Sequence, residues 1–215
     1  MRPVIALLLP ALVAASPIEW EHDDKPDEKL IKIVGASASG NGCPQGTVTT
    51  SLSPDGTESR TPHPRALDDT YIGPGTTPAD WTKNCQLHLN LQYPGGFQFS
   101  VVESTYHGYA QLDEGVTGTF LSTYYFSQDA GSTTTTRTSI QGGGAWALGQ
   151  VYTKQDKVPT AAVIWSPCGA TGILNVNNRI ALTSRNSTAY GQISDDDATV
   201  AFTQQVHVDW QPCKE

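Results

Sequence analysis

The stretch CQLHLNLQY, residues 85–93, constrains this chain more than any other. Leu87, Leu89, Leu91 and Tyr93 fall on one side of an extended chain, and His88, Asn90 and Gln92 on the other. A period of two is the period of a β-strand, and strict alternation means one buried face and one wet face. That pattern belongs to antiparallel sheets, because parallel strands are covered on both sides. GILNVNNRIALTS repeats it, with Leu174, Val176, Ile180 and Leu182 opposite Asn175, Asn177 and Arg179. ATVAFTQQVHVDW does so again, with Val200, Phe202, Val206, Val208 and Trp210 opposite Thr199, Thr203, Gln205, His207 and Asp209. No stretch reads as an amphipathic helix. Gly- and Pro-rich turns separate the strands, as at residues 40–46 and 94–96. The expected fold class is all-β: an antiparallel β-sandwich or barrel-like domain stapled by two disulfides. Residues 55–75, with prolines at 62, 64 and 74 and almost no alternation, read as a long loop.

The N-terminus places the chain outside the cell. Arg2, a short apolar run and the small residues Ala14, Ala15 and Ser16 have the layout of a secretory signal peptide over residues 1–16. The run is shorter than the roughly 20 residues that span a bilayer. Residues 17–29 carry six acids against two bases and read as an acidic disordered leader. Residues 30–215 are then a single secreted β-domain, large enough for its own core. The formal net charge is −8 without a basic cluster, which excludes nucleic acid and anionic membranes as partners.

A secreted chain oxidises its thiols, so Cys43, Cys85, Cys168 and Cys213 read as two disulfides. Cys168, in WSPCGATG, has no base beside it in sequence to make it a nucleophile. Four cysteines allow three pairings. Cys43–Cys85 with Cys168–Cys213 is the favoured one, stapling the early and late parts of the chain separately. Each bridge would close a loop of about 40 residues, worth about 4 kcal/mol in the chain-entropy model.

Catalytic signals are sparse. Glu103 with Asp113 or Glu114 would serve a glycan hydrolase if the carboxylates lay about 5–9.5 Å apart. Adjacent acids in a turn are more simply a solvated bend. Asp195–Asp197 lack the ligand spacing of a calcium loop. His22, His63, His88, His107 and His207 form no metal-pair spacing. Serine elbow and phosphate loop are both missing, the glycines at 142–144 being followed by no Lys-Ser/Thr. No cofactor is expected. Tyr106, Tyr109, Tyr124 and Tyr125 suit packing or a sugar site. Asn186 opens the acceptor triplet Asn-Ser-Thr for N-glycosylation. The polar ladder around His88, Asn90, Asn175 and Asn177 is the candidate binding surface.

Five stretches together resemble a known family: GNGCPQGTV, YIGPGTTPADWTKNCQLHLNLQYPGGFQFSV, YHGYAQLDEGVTGTFLSTYYFS, WSPCGATGILNVN and VDWQPC. The family comprises small, cysteine-stapled secreted proteins of filamentous fungi, catalogued as a domain of unknown function. The resemblance spans about residues 30–213 and implies an extracellular fungal protein, effector-like by analogy. At residues 57–70 the chain has TESRTPHPRALDDT where the resemblance implies a further apolar strand. The expected function is binding of a cell-wall glycan or host protein without catalysis, with the hydrolase and a structural wall component as alternatives. Alkylation of the unreduced, denatured mature protein is expected to add no mass; labelling of two or more cysteines would overturn the disulfide assignment.

Overall fold

The computed structural model describes residues 25–46, 49–62, 70–169, 171–194 and 203–213. Among these no α-helix occurs, and twelve strands build two antiparallel sheets. The first sheet has the order β1-β5-β10-β7-β8: β1 is Lys32–Ser39, β5 Thr82–Gln92, β7 Val116–Phe126, β8 Asp129–Gln141 and β10 Thr171–Ser184. The second has the order β2-β3-β12-β6-β11-β4: β2 is Ser51–Leu52, β3 Glu58–Pro62, β4 Thr70–Ile72, β6 Phe97–Leu112, β11 Gly191–Ser194 and β12 Thr203–Pro212. β9, Gln150–Lys157, pairs the free side of β6. The sandwich form of the two expected architectures is the one adopted.

The alternating residues face each other across the sandwich. Leu87, Leu89, Leu91, Leu174, Val176, Ile180 and Leu182 come from one sheet, and Phe99, Val101, Leu112, Val206, Val208 and Trp210 from the other; all are buried. A bulge sits where His207 pairs Glu103 but Val208 pairs Val101. The extra residue, Val102, shifts the parity of β6 by one. Phe99 and Val101 point inward before it, and Ser104, Tyr106, Ala110 and Leu112 after it.

Parity also puts polar residues inside. Asn178 shares the inner face of β10 with Val176 and Ile180, and Gln204 that of β12 with Val206. They meet in one network. The Asn178 side-chain amide donates to Gln204 Oε1 (2.6 Å), and Ser122 Oγ donates to Asn178 Oδ1 (2.5 Å). The Tyr106 hydroxyl donates to Ser122 Oγ (2.6 Å) and lies 3.2 Å from the Tyr124 hydroxyl, which donates to Ser104 Oγ (2.5 Å). Burial pushes the pKa of Tyr106 well above the ordinary phenol value, so it stays a neutral donor.

Cys43 pairs with Cys85 and Cys168 with Cys213, at Cα separations of 5.2 and 5.6 Å. The WSPC bend is docked as well as stapled. Ser166 N–H donates to the Phe99 carbonyl and Ser166 Oγ accepts from Phe99 N–H, while the Tyr93 hydroxyl donates to the Pro167 carbonyl. Tyr93, Phe99, Phe126 and Trp210 close this end through tilted and edge-on ring contacts at 5.2–5.4 Å.

Two readings of the sequence need correction. The loop expected over residues 55–75 contains β3 and β4. β3 carries no apolar alternation because it is held by backbone pairing to β12 and β2, with Ser59 as its buried residue. The acidic leader is ordered from Lys25 onward: Pro26 is buried, and Asp27 caps a 3-10 turn by accepting from Lys29 N–H. The signal segment, residues 17–24 and residues 63–69 lie outside the described residues.

Asn178→Ala is expected to cost about 1–3 kcal/mol for each buried partner left unsatisfied. The exposed neighbour Asn177→Ala should stay within about 0.5 kcal/mol. Urea midpoints at constant m-value measure the difference; equal midpoints would show that the network does not hold the sheets.

Candidate functional site

At the end of the sandwich away from the aromatic cluster, β6 runs out at Leu112 beside the short strands β11 and β4. Thr70 and Ile72 of β4 point into the core, so parity turns Tyr71 outward, 39% exposed. Tyr190, just before β11, is 59% exposed. The two tyrosines bound a recess of about 310 Å³, with Thr76, Asp80, Gln111, Asp113 and Gln192 along its walls.

Each wall is fixed locally. Asp113 N–H donates to the Tyr190 carbonyl, and Tyr190 N–H donates to Asp113 Oδ2 (2.8 Å), so the two loops clamp each other. The Tyr190 ring lies on Gly73, where a Cβ would come within 2.5 Å of it. Gly73 also has φ +153°, so both conformation and contact demand glycine. The turn after it is held by Thr76, whose Oγ1 accepts from Gly73 N–H and from the Trp81 indole (2.7 Å). Asp80 Oδ2 accepts from the backbone N–H and the hydroxyl of Thr77, both at 2.8 Å. Those bonds, backbone first, with the Lys83 charge behind them, hold its carboxyl below the usual carboxylate pKa. Gln111 reaches the 3-10 turn at Gly144–Leu148, donating to the Ala147 carbonyl, and accepts from the Tyr109 hydroxyl. Leu148 and Val151, both exposed, lie on the strand and turn beside Tyr109.

The arrangement offers two aromatic faces, two carboxylates and two side-chain amides around one concavity. It is suited to a ligand with apolar C–H faces and many hydroxyls. Hydrolysis would need one carboxylic acid kept protonated by a raised pKa beside an ionised partner; of the two carboxylates, Asp80 is shifted toward the ionised form.

The residues singled out from sequence fall elsewhere, Asp113 excepted. Glu103 lies within β6 and Asp113 just past its end at Leu112, so about ten extended residues, roughly 33 Å at about 3.3 Å per residue, separate them. They cannot flank one glycosidic bond, which corrects the Glu103 pairing with Asp113 or Glu114. Glu103 instead lies 3.8 Å from the Lys157 ammonium. Glu114 is exposed in the bend after Asp113. His88, Asn90, Asn175 and Asn177 share the outer face of the first sheet. Asn175 is buried there, beside His88 Nδ1 and donating to Ser127 Oγ (2.8 Å), whereas Asn177 is exposed. Tyr106 and Tyr124 belong to the core network, and Tyr125 accepts from Gln86. His22, His63 and Asp195–Asp197 lie outside the described residues. Among the described residues no cluster of three His, Cys, Asp or Glu could hold a metal ion. No described helix is long and apolar enough to cross a membrane.

Sequence reasoning missed Tyr71, Tyr190, Gln111 and Gln192. YIGPG was the available signal, since an aromatic ahead of a Gly-Pro-Gly turn is poorly placed for the core.

With this geometry in view, the likenesses to known proteins are few. The family described as Domain of unknown function (DUF4360) matches residues 29–213, and the chain belongs to it. An uncharacterized secreted protein of Arthroderma benhamiae is 44% identical over 191 residues, 87% of this chain and 74% of that one. The present chain is likewise a secreted protein of the filamentous-fungal type. Among solved structures, TmCBM61 in complex with β-1,4-galactotriose aligns with a TM-score of 0.26 at 11% identity, covering 85% of this chain and 94% of that one. The enzymatically active domain of bacteriophage CBA120 tailspike protein 4 aligns with a TM-score of 0.22 at 12% identity, covering 87% of this chain and 20% of that one. At those scores neither structure bears on fold or ligand.

The Asp80 bonds set a pH dependence. A depressed folded pKa stabilises the turn above the unfolded carboxylate value of about 3.9, and that contribution disappears as pH falls through the folded pKa. Thr77→Ala is expected to raise the Asp80 pKa toward the ordinary range in a carboxyl-detected NMR titration. An unchanged titration would show that the Thr77 hydroxyl does not help to hold the carboxylate.

Proposed function

We propose that this secreted protein binds a polysaccharide of the cell wall or of a host surface, without turning it over, through the recess between Tyr71 and Tyr190. The observation that carries the reading is the pairing of two exposed tyrosines around Asp80, Asp113, Gln111 and Gln192 in one concavity. A pyranose ring has an apolar C–H face that stacks on an aromatic ring by dispersion and excluded water. Its hydroxyls need both donors and acceptors at fixed positions. Ionised carboxylates accept, and glutamine amides do both. The clamp between Asp113 and Tyr190 fixes the recess before any ligand arrives, which lowers the ordering cost of binding.

The acidic body favours a neutral chain over an anionic one, because anionic sugars would meet Asp80 and Asp113 directly. The same reading takes residues 1–16 as the secretory signal and residues 30–215 as one binding domain.

Tyr190→Ala and Tyr71→Ala are each expected to weaken binding by about 5–30-fold, the effect of truncating an aromatic anchor. Calorimetry on soluble β-glucan, chitin oligomers, galactan and pectin, with unfolding temperatures as the folding control, measures it. Glu103→Gln should bind as the natural sequence does. If no polysaccharide binds, or binding survives both tyrosine changes, the recess is not the site. Release of reducing sugar by the natural sequence would make the protein an enzyme instead.

A further inference from the structure

A second recess adjoins the first, on the other side of Ile72 and Gly73. It measures about 480 Å³ and is lined by Trp81, Leu182, Thr183, Arg185 and Asn186 among others. That volume lies within the range of about 300–1,000 Å³ typical of small-molecule sites. We infer that Asn186 carries an N-linked glycan whose first sugar seats in this recess against Trp81.

Three observations converge on it. Asn186-Ser187-Thr188 is an acceptor triplet, and all three residues are exposed on the loop between β10 and β11. Its side chains are already ordered around the amide. Asn186 Oδ1 accepts from Thr188 N–H (3.0 Å) and from the Thr188 hydroxyl (2.8 Å). Ser184 Oγ accepts from Asn186 N–H and donates to the Asn186 carbonyl. With Oδ1 engaged, the Nδ2 side of the amide is left for the incoming sugar. The recess then begins at the acceptor residue itself. Trp81 forms its wall with a fixed orientation, because its indole N–H is held by Thr76 Oγ1. A ring pinned in that way presents an apolar face to a sugar at no further ordering cost.

The modification is a group transfer from a polyprenyl-diphosphate-linked oligosaccharide of the secretory pathway. Asn186 Nδ2 bonds to the anomeric carbon and loses one proton. The bond from that carbon to the diphosphate oxygen breaks, and the polyprenyl diphosphate leaves with the electron pair. This inference stands apart from polysaccharide binding at Tyr71 and Tyr190, and neither depends on the other.

The test uses the full chain secreted from a eukaryotic host. Peptide mass spectrometry is expected to find a glycan on Asn186, retained in Thr188→Ser and lost in Thr188→Ala. Protein trimmed enzymatically to its first sugar should keep the Tm of the full glycoform. Asn186→Gln from the same host should fall by about 2–4 °C, the shift that a modest stabilisation makes in a chain of this size. Trp81→Phe should retain part of that gap and Trp81→Ala none. Should Trp81→Ala fail to fold, nuclear Overhauser contacts between the first sugar and the Trp81 indole, in protein of natural sequence, decide the matter. Their presence supports the seating. An unmodified Asn186, a Tm indifferent to the first sugar, or a sugar without contacts to Trp81 would each overturn it.

Discussion

The hydrogen-bonded network at the middle of the sandwich is the constraint on which the rest depends. Ser122, Tyr124 and Asn178 belong to one sheet, and Ser104, Tyr106 and Gln204 to the other. Apolar contacts alone would let the two sheets slide, since hydrophobic attraction has no direction. A buried amide or hydroxyl has a direction and is costly to leave unpaired. One alignment of the sheets satisfies this network, and leucines, valines and isoleucines pack on either side of it. The bulge at Val102 belongs to the same arrangement. Without its parity shift, Ser104 and Tyr106 would face solvent and the network could not close.

That alignment gives the molecule two unlike ends. At one, Tyr93, Phe99, Phe126 and Trp210 pack together under the docked WSPC bend, with Cys168–Cys213 locking it. Ser166 serves there as an extra backbone partner for Phe99, which explains a buried serine next to a proline. At the other end the strands shorten to β4 and β11. Short strands leave their neighbours' side chains uncovered, and the exposed tyrosines sit there, Tyr71 on the outer face of β4 and Tyr190 just before β11. Cys43–Cys85 ties the turn at Gly40–Cys43 to the start of β5. β6, Phe97–Leu112, runs from one end to the other.

The carboxylates sort by environment. Asp80, half-buried in the recess wall and hydrogen-bonded to Thr77, is held ionised, as an acceptor for hydroxyls should be. Asp156 is shifted the opposite way, because burial between β8 and β9 outweighs the attraction of Lys154. A raised pKa is the mark of a general acid, yet Asp156 lines a flank recess with Arg137 and Lys157, away from both tyrosines. The carboxylate with the raised pKa and the one with the lowered pKa thus line different recesses.

Much of the fold was legible in the residues themselves. Period-two alternation at 85–93, 172–184 and 198–210 pointed to strands and the antiparallel class, because a strand's two faces meet different surroundings. The even cysteine count of a chain read as secreted implied two disulfides, and the structure pairs them. β3 was not legible: Glu58–Pro62 is a strand through backbone bonds to β12, and backbone bonds leave no trace in side-chain pattern. Asn178 and Gln204 went unremarked in the sequence, and only the facing sheet supplies their partners. Asn175 and Asn177 looked alike on a polar face, and the ring of His88 and the hydroxyl of Ser127 decide that one is enclosed and the other open. Glu103 and Asp113 were candidates by chemistry until the extended run of β6 between them set them far apart. Tyr71 and Tyr190 lie more than a hundred positions apart, and only the pairing of β4 with β11 brings them to one recess. Sequence determined which face of each alternating strand turns inward, since that depends on the affinity for water of the apolar residues along it. Tertiary structure decided which exposed residues meet, since that depends on pairings between segments that carry no mark of one another.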